Sequence, residues 1–116
     1  MRELRKDKFR LEHILEAIDR LETHAGNLSR EELESDVLRY YGIVKNIEII
    51  GEAANLLTKE FRSEHAEVPW RDMVDMRNLL IHGYITTNAA YIWDTYTDDL
   101  PVLRQQIEQY IAKMEA

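Results

Sequence analysis

The chain of 116 residues is 45% hydrophobic and 32% charged, a composition that predicts one globular domain over residues 1–116 and excludes a disordered chain. The absence of cysteine excludes disulfides and thiolate metal sites, and no segment has the length of a membrane-spanning helix, so we expect a cytoplasmic protein without membrane contact. The net charge of −7 argues against a broad nucleic-acid-binding surface but not against a small basic cleft.

The first half of the chain carries apolar residues at helical spacing. A first helix is predicted from about Leu4 to Thr23. Ser29 and Glu32 then form a capping-box pattern, which opens a second helix. This second helix is predicted to run from about Arg30 to Phe61, with a kink near Gly42.

The second half of the chain predicts two further helices after a polar loop over residues 62–68. The third runs from Pro69 to about His82, because proline is tolerated in the first turn of a helix. The fourth contains Pro101, so it either kinks there or gives way to a new helix capped by Asp98 or Asp99. The fold class is therefore an all-α, up-down bundle of four to five helices. Its wide apolar faces predict a homodimer.

A segment at the end of the third helix combines several reactive groups in apolar surroundings. Arg77, Asn78, His82 and Tyr84 supply a cation, an amide, an imidazole and a phenol within eight residues. Asn78 and His82 are four apart and share a helix face, whereas Arg77 and His82 are rotated by roughly 140° on an ideal helix. Either the helix ends before His82, or a second copy supplies the missing neighbour across a two-fold axis.

These residue types suit phosphoryl transfer on RNA. The planar guanidinium of Arg77 can bind phosphate oxygens, and His82 can give or take a proton near neutral pH. Asn78 can orient the imidazole or hold a phosphate oxygen. A ribose 2′-hydroxyl can attack the adjacent phosphorus with only a base, an acid and charge stabilisation, so neither a metal nor another cofactor is required.

Each residue also has a purely structural interpretation. Arg77 alone is typical of an ion-pair residue, with Glu52 or Asp75 as its partner. His82 alone is typical of a favourable partner for the helix dipole, and Tyr84 of a wedge packed against the helix end. Glu52 is either the buried partner of Arg77 or a group that tunes Arg77 or His82.

The other histidines do not cluster at metal-ligand spacing and are expected at the surface. They are His13, His24 and His65. The helical phase of Tyr40 and Tyr41 favours a core or dimer-interface position over base stacking.

The motif Arg77-x4-His82-x-Tyr84, with Asn78 directly after the arginine, resembles the signature of HEPN-domain toxins of the HepT type. The resemblance extends over nearly the whole chain. It includes Ile50-Gly51-Glu52-Ala53-Ala54, Val68-Pro69-Trp70 and Trp93. The family is one of helical homodimers in which two Arg-x4-His motifs meet in a cleft.

The resemblance implies a metal-independent endoribonuclease toxin, with Arg77 and His82 catalytic and Asn78 assisting. It also implies a cognate MntA-like nucleotidyltransferase antitoxin that transfers AMP from ATP to Tyr84. Two alternatives stay open. In the first, the chain is a non-enzymatic nucleotide-binding or regulatory partner of such a transferase. In the second, it is a helical dimerisation module without a site.

Overall fold

The computed structural model describes residues 2–82 and 89–116, and the chain in these two ranges is built from helices without a strand. The predicted all-α class is therefore confirmed. The α-helices are α1 (Arg2–Ala25), α2 (Arg30–Ser35), α3 (Val37–Leu56), α4 (Lys59–Glu64), α5 (Trp70–Ile81), α6 (Ala89–Asp94) and α7 (Leu100–Glu115). A π-helical turn over Thr95–Asp99 joins α6 to α7. Within the two ranges, no helix is long and apolar enough to cross a membrane.

The helix α1 packs antiparallel against α3. Near the start of α1, the buried carboxylate of Asp7 accepts hydrogen bonds from the backbone N–H and the hydroxyl of Thr58, each at 2.8 Å. Near its end, Arg20 donates to Asn46 Oδ1 at 2.9 Å. Because these contacts join opposite ends of the two helices, they fix the register of α1 along α3.

The helix α7 packs on another side of α1, again antiparallel. Arg104, in the first half of α7, forms ion pairs with Asp19 and Glu22 near the end of α1. Lys8 near the start of α1 pairs with Glu115 at 3.1 Å. The core fills the space between these helices. Its largest fully buried side chains are Leu11, Ile14, Ile18, Leu33, Ile43, Val44, Ile92 and Ile107.

The single second helix predicted over residues 30–61 was wrong, because the chain divides it into α2, α3 and α4. Asp36 adopts an extended conformation (φ −91°, ψ 93°) and caps α3 by accepting from the N–H of Arg39 at 3.1 Å. Thr58 caps α4 in the same way, through the N–H of Phe61. These side-chain oxygens compete with helix continuation for backbone N–H groups. The capping box at Ser29 and Glu32 is confirmed.

Two other predictions about helix boundaries need correction. The helix α3 continues through Gly42 without interruption, and α4 occupies the start of the loop predicted over residues 62–68. The third predicted helix agrees with α5, which begins directly after Pro69 and ends directly before His82. The sequence also offers Gly83 as a helix stop and Thr86–Asn88 as a cap for the fourth predicted helix, and both lie outside the described residues.

Pro101 lies in the first turn of α7, where its missing N–H is least costly. The residues before it remain helical but widen into the π-helical turn, and the side chain of Asp99 makes no capping hydrogen bond. The wider turn changes the backbone around Thr97, whose carbonyl would meet the proline ring in a regular α-helix. The chain therefore stays helical from α6 through the π-helical turn into α7, and the alternative of a new helix capped by Asp98 or Asp99 was wrong.

Candidate active site

The contact between α3 and α5 is so close that only glycine fits at position 51. A Cβ atom added to Gly51 would lie 2.5 Å from Arg77 Cβ and 2.8 Å from the carbonyl oxygen of Met73. Any larger residue would have to push the two helices apart. Gly51 therefore places the backbone of Arg77 directly against α3.

The guanidinium of Arg77 lies between a carboxylate and an amide. Its Nη2 atom is 2.5 Å from Glu52 Oε2, and its Nη1 atom donates to Asn78 Oδ1 at 2.8 Å. Of the two carboxylates offered by the sequence, Glu52 is thus the partner, whereas Asp75 faces Arg71 at 4.0 Å. Arg77 keeps 27% of its side chain exposed and Glu52 keeps 44%, so the pair forms at the edge of the core.

Two atoms of this pair lack hydrogen-bond partners within the described residues. They are Glu52 Oε2 and Arg77 Nε, both inaccessible to solvent. The close approach of Oε2 to Nη2 is therefore an ion pair without good hydrogen-bond alignment. A buried donor without an acceptor costs free energy, so the Nε–H group would gain from an acceptor that reached it.

His82 occupies the C-cap position of α5, and its backbone N–H donates to the carbonyl of Asn78 at 3.2 Å. Its side chain is exposed, with no hydrogen bond or ion pair to any described residue. The helix ends just before His82, as one sequence alternative required. This helix end does not bring the imidazole of His82 into the groove that Arg77 lines, because His82 is not among the residues of that groove. Tyr84 lies outside the described residues.

That groove has a volume of about 320 Å³ and runs between α1, α3 and α5. It is lined by Arg10, His13, Lys45, Glu48, Ile49, Glu52, Ala53, Leu56, Arg77 and Ile81. Sequence reasoning missed the three basic residues from α1 and α3. The available signal was helical phase, because Lys45, Glu48 and Glu52 share one face of α3 while Arg10 and His13 share one face of α1.

The other histidines differ in how far they are exposed. His24 is exposed, as predicted, and His13 is half-buried at the groove. The surface prediction for His65 was wrong, because its ring stacks on Phe61 at 4.2 Å and lies 4.3 Å from the ring of Tyr110. Within residues 2–82 and 89–116, no group of three or more His, Asp or Glu side chains is placed to hold a metal ion.

Known proteins resemble this chain over most of its length. Residues 14–110 match a family model described as "Ribonuclease HepT-like". A relative from Caldanaerobacter subterraneus subsp. tengcongensis, named "Putative RNase TTE0752", is 38% identical over 89% of this chain and 92% of its own. "Probable ribonuclease HepT" of Thermococcus cleftensis is 34% identical over 90% of this chain and 96% of its own. No solved structure matches the chain.

Proposed function

Because the chain belongs to the HepT-like ribonuclease family, we propose that it is a metal-independent endoribonuclease that cleaves RNA phosphodiester bonds as a homodimer. The observation that carries this proposal is the partly exposed guanidinium of Arg77, held by Glu52 and Asn78, with the exposed imidazole of His82 five residues later. A fixed cation and a free proton carrier are two of the groups that 2′-hydroxyl attack requires.

In the proposed reaction the ribose 2′-oxygen forms a bond to phosphorus while the bond from phosphorus to the 5′-oxygen breaks. A base accepts the 2′-proton, and an acid gives a proton to the leaving 5′-oxygen. Arg77 stabilises the negative charge that develops on the phosphate oxygens. In the absence of substrate, the carboxylate of Glu52 and the amide of Asn78 hold the guanidinium from two sides.

A phosphate bound at Arg77 would also affect the buried Nε–H donor of this residue. An anion that draws the guanidinium away from Glu52 would offer Nε–H the acceptor that it lacks within the described residues. Charge-assisted hydrogen bonds of this kind are among the stronger polar contacts in proteins. The Arg77–Glu52 pair would thus act as a resting state that phosphate binding reorganises.

The homodimer part of the proposal is supported by the position of His82. The reaction needs one base and one acid, and each chain contributes one histidine of this motif. Leu79 and Ile81, beside it on α5, each leave 51% of their surface exposed. A second copy packed against this end of α5 would cover those side chains and bring the partner subunit's His82 to the cleft.

We further propose that the chain is a toxin and that a covalent modification neutralises it. We propose that an MntA-like nucleotidyltransferase transfers AMP from ATP to the hydroxyl of Tyr84, releasing pyrophosphate. Tyr84 follows His82 by two residues. An adenylate there adds bulk and negative charge near the catalytic imidazole, where the RNA phosphate has to bind.

The nuclease proposal is tested by incubating the purified chain with single-stranded RNA in the presence of EDTA. We expect cleavage by the wild type and its loss in Arg77→Ala and His82→Ala. His24→Ala is the matched control, because it removes another exposed imidazole. The proposal fails if the wild type leaves RNA intact, or if His82→Ala cuts as fast as His24→Ala.

The modification proposal is tested separately, by incubating the chain with the transferase encoded beside it and ATP. Intact-mass measurement should show the gain of adenylate groups in the wild type but not in Tyr84→Phe, and the modified protein should no longer cut RNA. Modification of a chain that never cut RNA would instead favour a non-enzymatic partner of the transferase.

A further inference from the structure

The groove between α1, α3 and α5 contains more basic groups than the proposed reaction uses. Arg77 lines one wall, and Arg10, His13 and Lys45 line the others. We propose that these three residues bind phosphates of the RNA strand on either side of the phosphate at Arg77. This inference rests on the proposed ribonuclease function and names the surface that holds its substrate.

The balance of charge in the groove favours an anionic ligand. Its two carboxylates each already face a cation, since Glu48 lies 3.8 Å from Lys45 and Glu52 pairs with Arg77. Arg10 has no carboxylate partner among the described residues. In a chain of net charge −7, this groove therefore keeps a local excess of positive charge. Such a local excess attracts phosphate even when the whole protein is acidic.

The register of the helices spreads the cations along the groove. Because α1 runs antiparallel to α3, Arg10 lies toward the Leu56 end, and Lys45 lies toward the opposite end. The pair of Arg77 and Glu52 lies between them. Seven residues separate Lys45 from Glu52 on α3, which corresponds to roughly 10 Å along the helix axis. The cations therefore mark a path for an extended chain of phosphates.

An exposed aromatic ring adjoins this path. Phe9 leaves 51% of its surface exposed, and its ring lies 5.4 Å from the guanidinium of Arg10 and 4.3 Å from the ring of His13. Proteins that bind single-stranded nucleic acid combine a basic groove with aromatic rings on which bases stack. Phe9 offers such a ring beside the phosphate path, which favours single-stranded RNA over a duplex.

The proposal is tested with a short single-stranded oligoribonucleotide, by fluorescence anisotropy at several salt concentrations. All variants carry His82→Ala as well, so that the RNA stays intact during the measurement. We expect Arg10→Ala and Lys45→Ala each to weaken binding about fivefold. Each should also reduce the slope of log K against log salt by about 0.7, the value for one lost phosphate contact on a single strand.

Two further variants separate the kinds of contact. Phe9→Ala should weaken binding without changing the salt slope, because stacking releases no counterions. Lys113→Ala is the matched charge control, because it removes an exposed cation on α7, outside the groove. It should bind RNA like the parent.

With the catalytic His82 restored, Arg10→Ala should raise KM and leave kcat nearly unchanged.

The outcomes distinguish this inference from the function on which it rests. If the wild type cuts RNA but Arg10→Ala and Lys45→Ala bind like Lys113→Ala, the groove assignment is overturned and the nuclease proposal stands. If the wild type neither binds nor cuts RNA, the proposed function fails and the groove assignment fails with it. Weaker binding with a reduced salt slope, confined to the groove variants, supports the assignment.

Discussion

Two histidines occupy the same position at the ends of two helices, yet their surroundings differ. His65 is the C-cap of α4, and His82 is the C-cap of α5. The imidazole of His65 is half-buried, lies 2.9 Å from the carbonyl oxygen of Phe61 through Nδ1, and packs between Phe61 and Tyr110. The imidazole of His82 is exposed and makes no hydrogen bond to any described residue.

The difference shows that position on a helix does not decide what a histidine does. Local sequence places both imidazoles where the helix dipole favours a cation. Tertiary packing then fixes His65 by aromatic contacts, with Trp70 closing the same cluster through a 3.0 Å hydrogen bond to the carbonyl of His65. His82 is left free to exchange a proton with a ligand. The first histidine stabilises the fold, and the second is available for chemistry.

The largest expected effect is on catalysis, at His82. We expect His82→Ala to slow RNA cleavage by at least about 100-fold, the typical contribution of a general acid or base. Its free energy of unfolding should change by no more than about 0.5 kcal/mol, because the side chain is exposed. Single-turnover cleavage assays and urea denaturation measure the two quantities. A large loss of stability with normal cleavage would reverse the distinction between the two histidines.

Gly51 provides the next test, because it positions Arg77 without touching substrate. Gly51→Ala should destabilise the fold by about 1–3 kcal/mol through overpacking, and it should also reduce cleavage as Arg77 moves. Gly42→Ala is the matched control on the same helix, since a Cβ added there meets nothing within 4 Å. It should stabilise α3 by about 0.5–1 kcal/mol. Equal effects of the two substitutions in urea denaturation would contradict the close contact.

His65 should show the opposite pattern to His82. We expect His65→Ala to lower the free energy of unfolding by about 1–2 kcal/mol, because it removes the contacts with Phe61 and Tyr110. Cleavage of RNA by the variant at low temperature, where it stays folded, should equal that of the wild type. A folded His65→Ala protein that no longer cut RNA would show that this histidine also serves the reaction.

The smallest expected effect is the dependence of stability on pH through Glu67, which lies near His65. Tyr110 donates a hydrogen bond to Glu67, and this bond holds the pKa of Glu67 below its ordinary value. Because the pKa is lower in the folded protein, the resulting stability is present above the unfolded pKa and is lost as pH falls through the folded one. Tyr110→Phe should raise the pKa of Glu67 in an NMR titration and reduce the loss of stability on acidification. An unchanged pKa would contradict this contact.

The sequence predicted those features that local patterns determine. The bounds of α5 and the capping box at Ser29 both follow from residue type and spacing. The need of Arg77 for an ion-pair partner followed from the cost of a buried charge without one, but the sequence alone did not decide between Glu52 and Asp75. The catalytic roles of the site residues stay predictions.

The remaining features depend on contacts between distant segments. The break at Thr58 is stabilised by Asp7, fifty-one residues earlier in the chain, so no local window reveals it. The apolar spacing also continued across Asp36, which concealed the first break. Arg10 and His13 joined the groove only because α1 packs against α3 in one register. The aromatic cluster around His65 likewise brings Tyr110 from the last helix.

The position of α1 has a consequence for how this domain folds. The helix α1 packs against α3 on one side and against α7 on another, so helices far apart in the sequence share one core. During synthesis the face of α1 that meets α7 stays exposed until α7 has been made, because domains fold as units. Until α7 packs against α1, the bundle cannot complete its core.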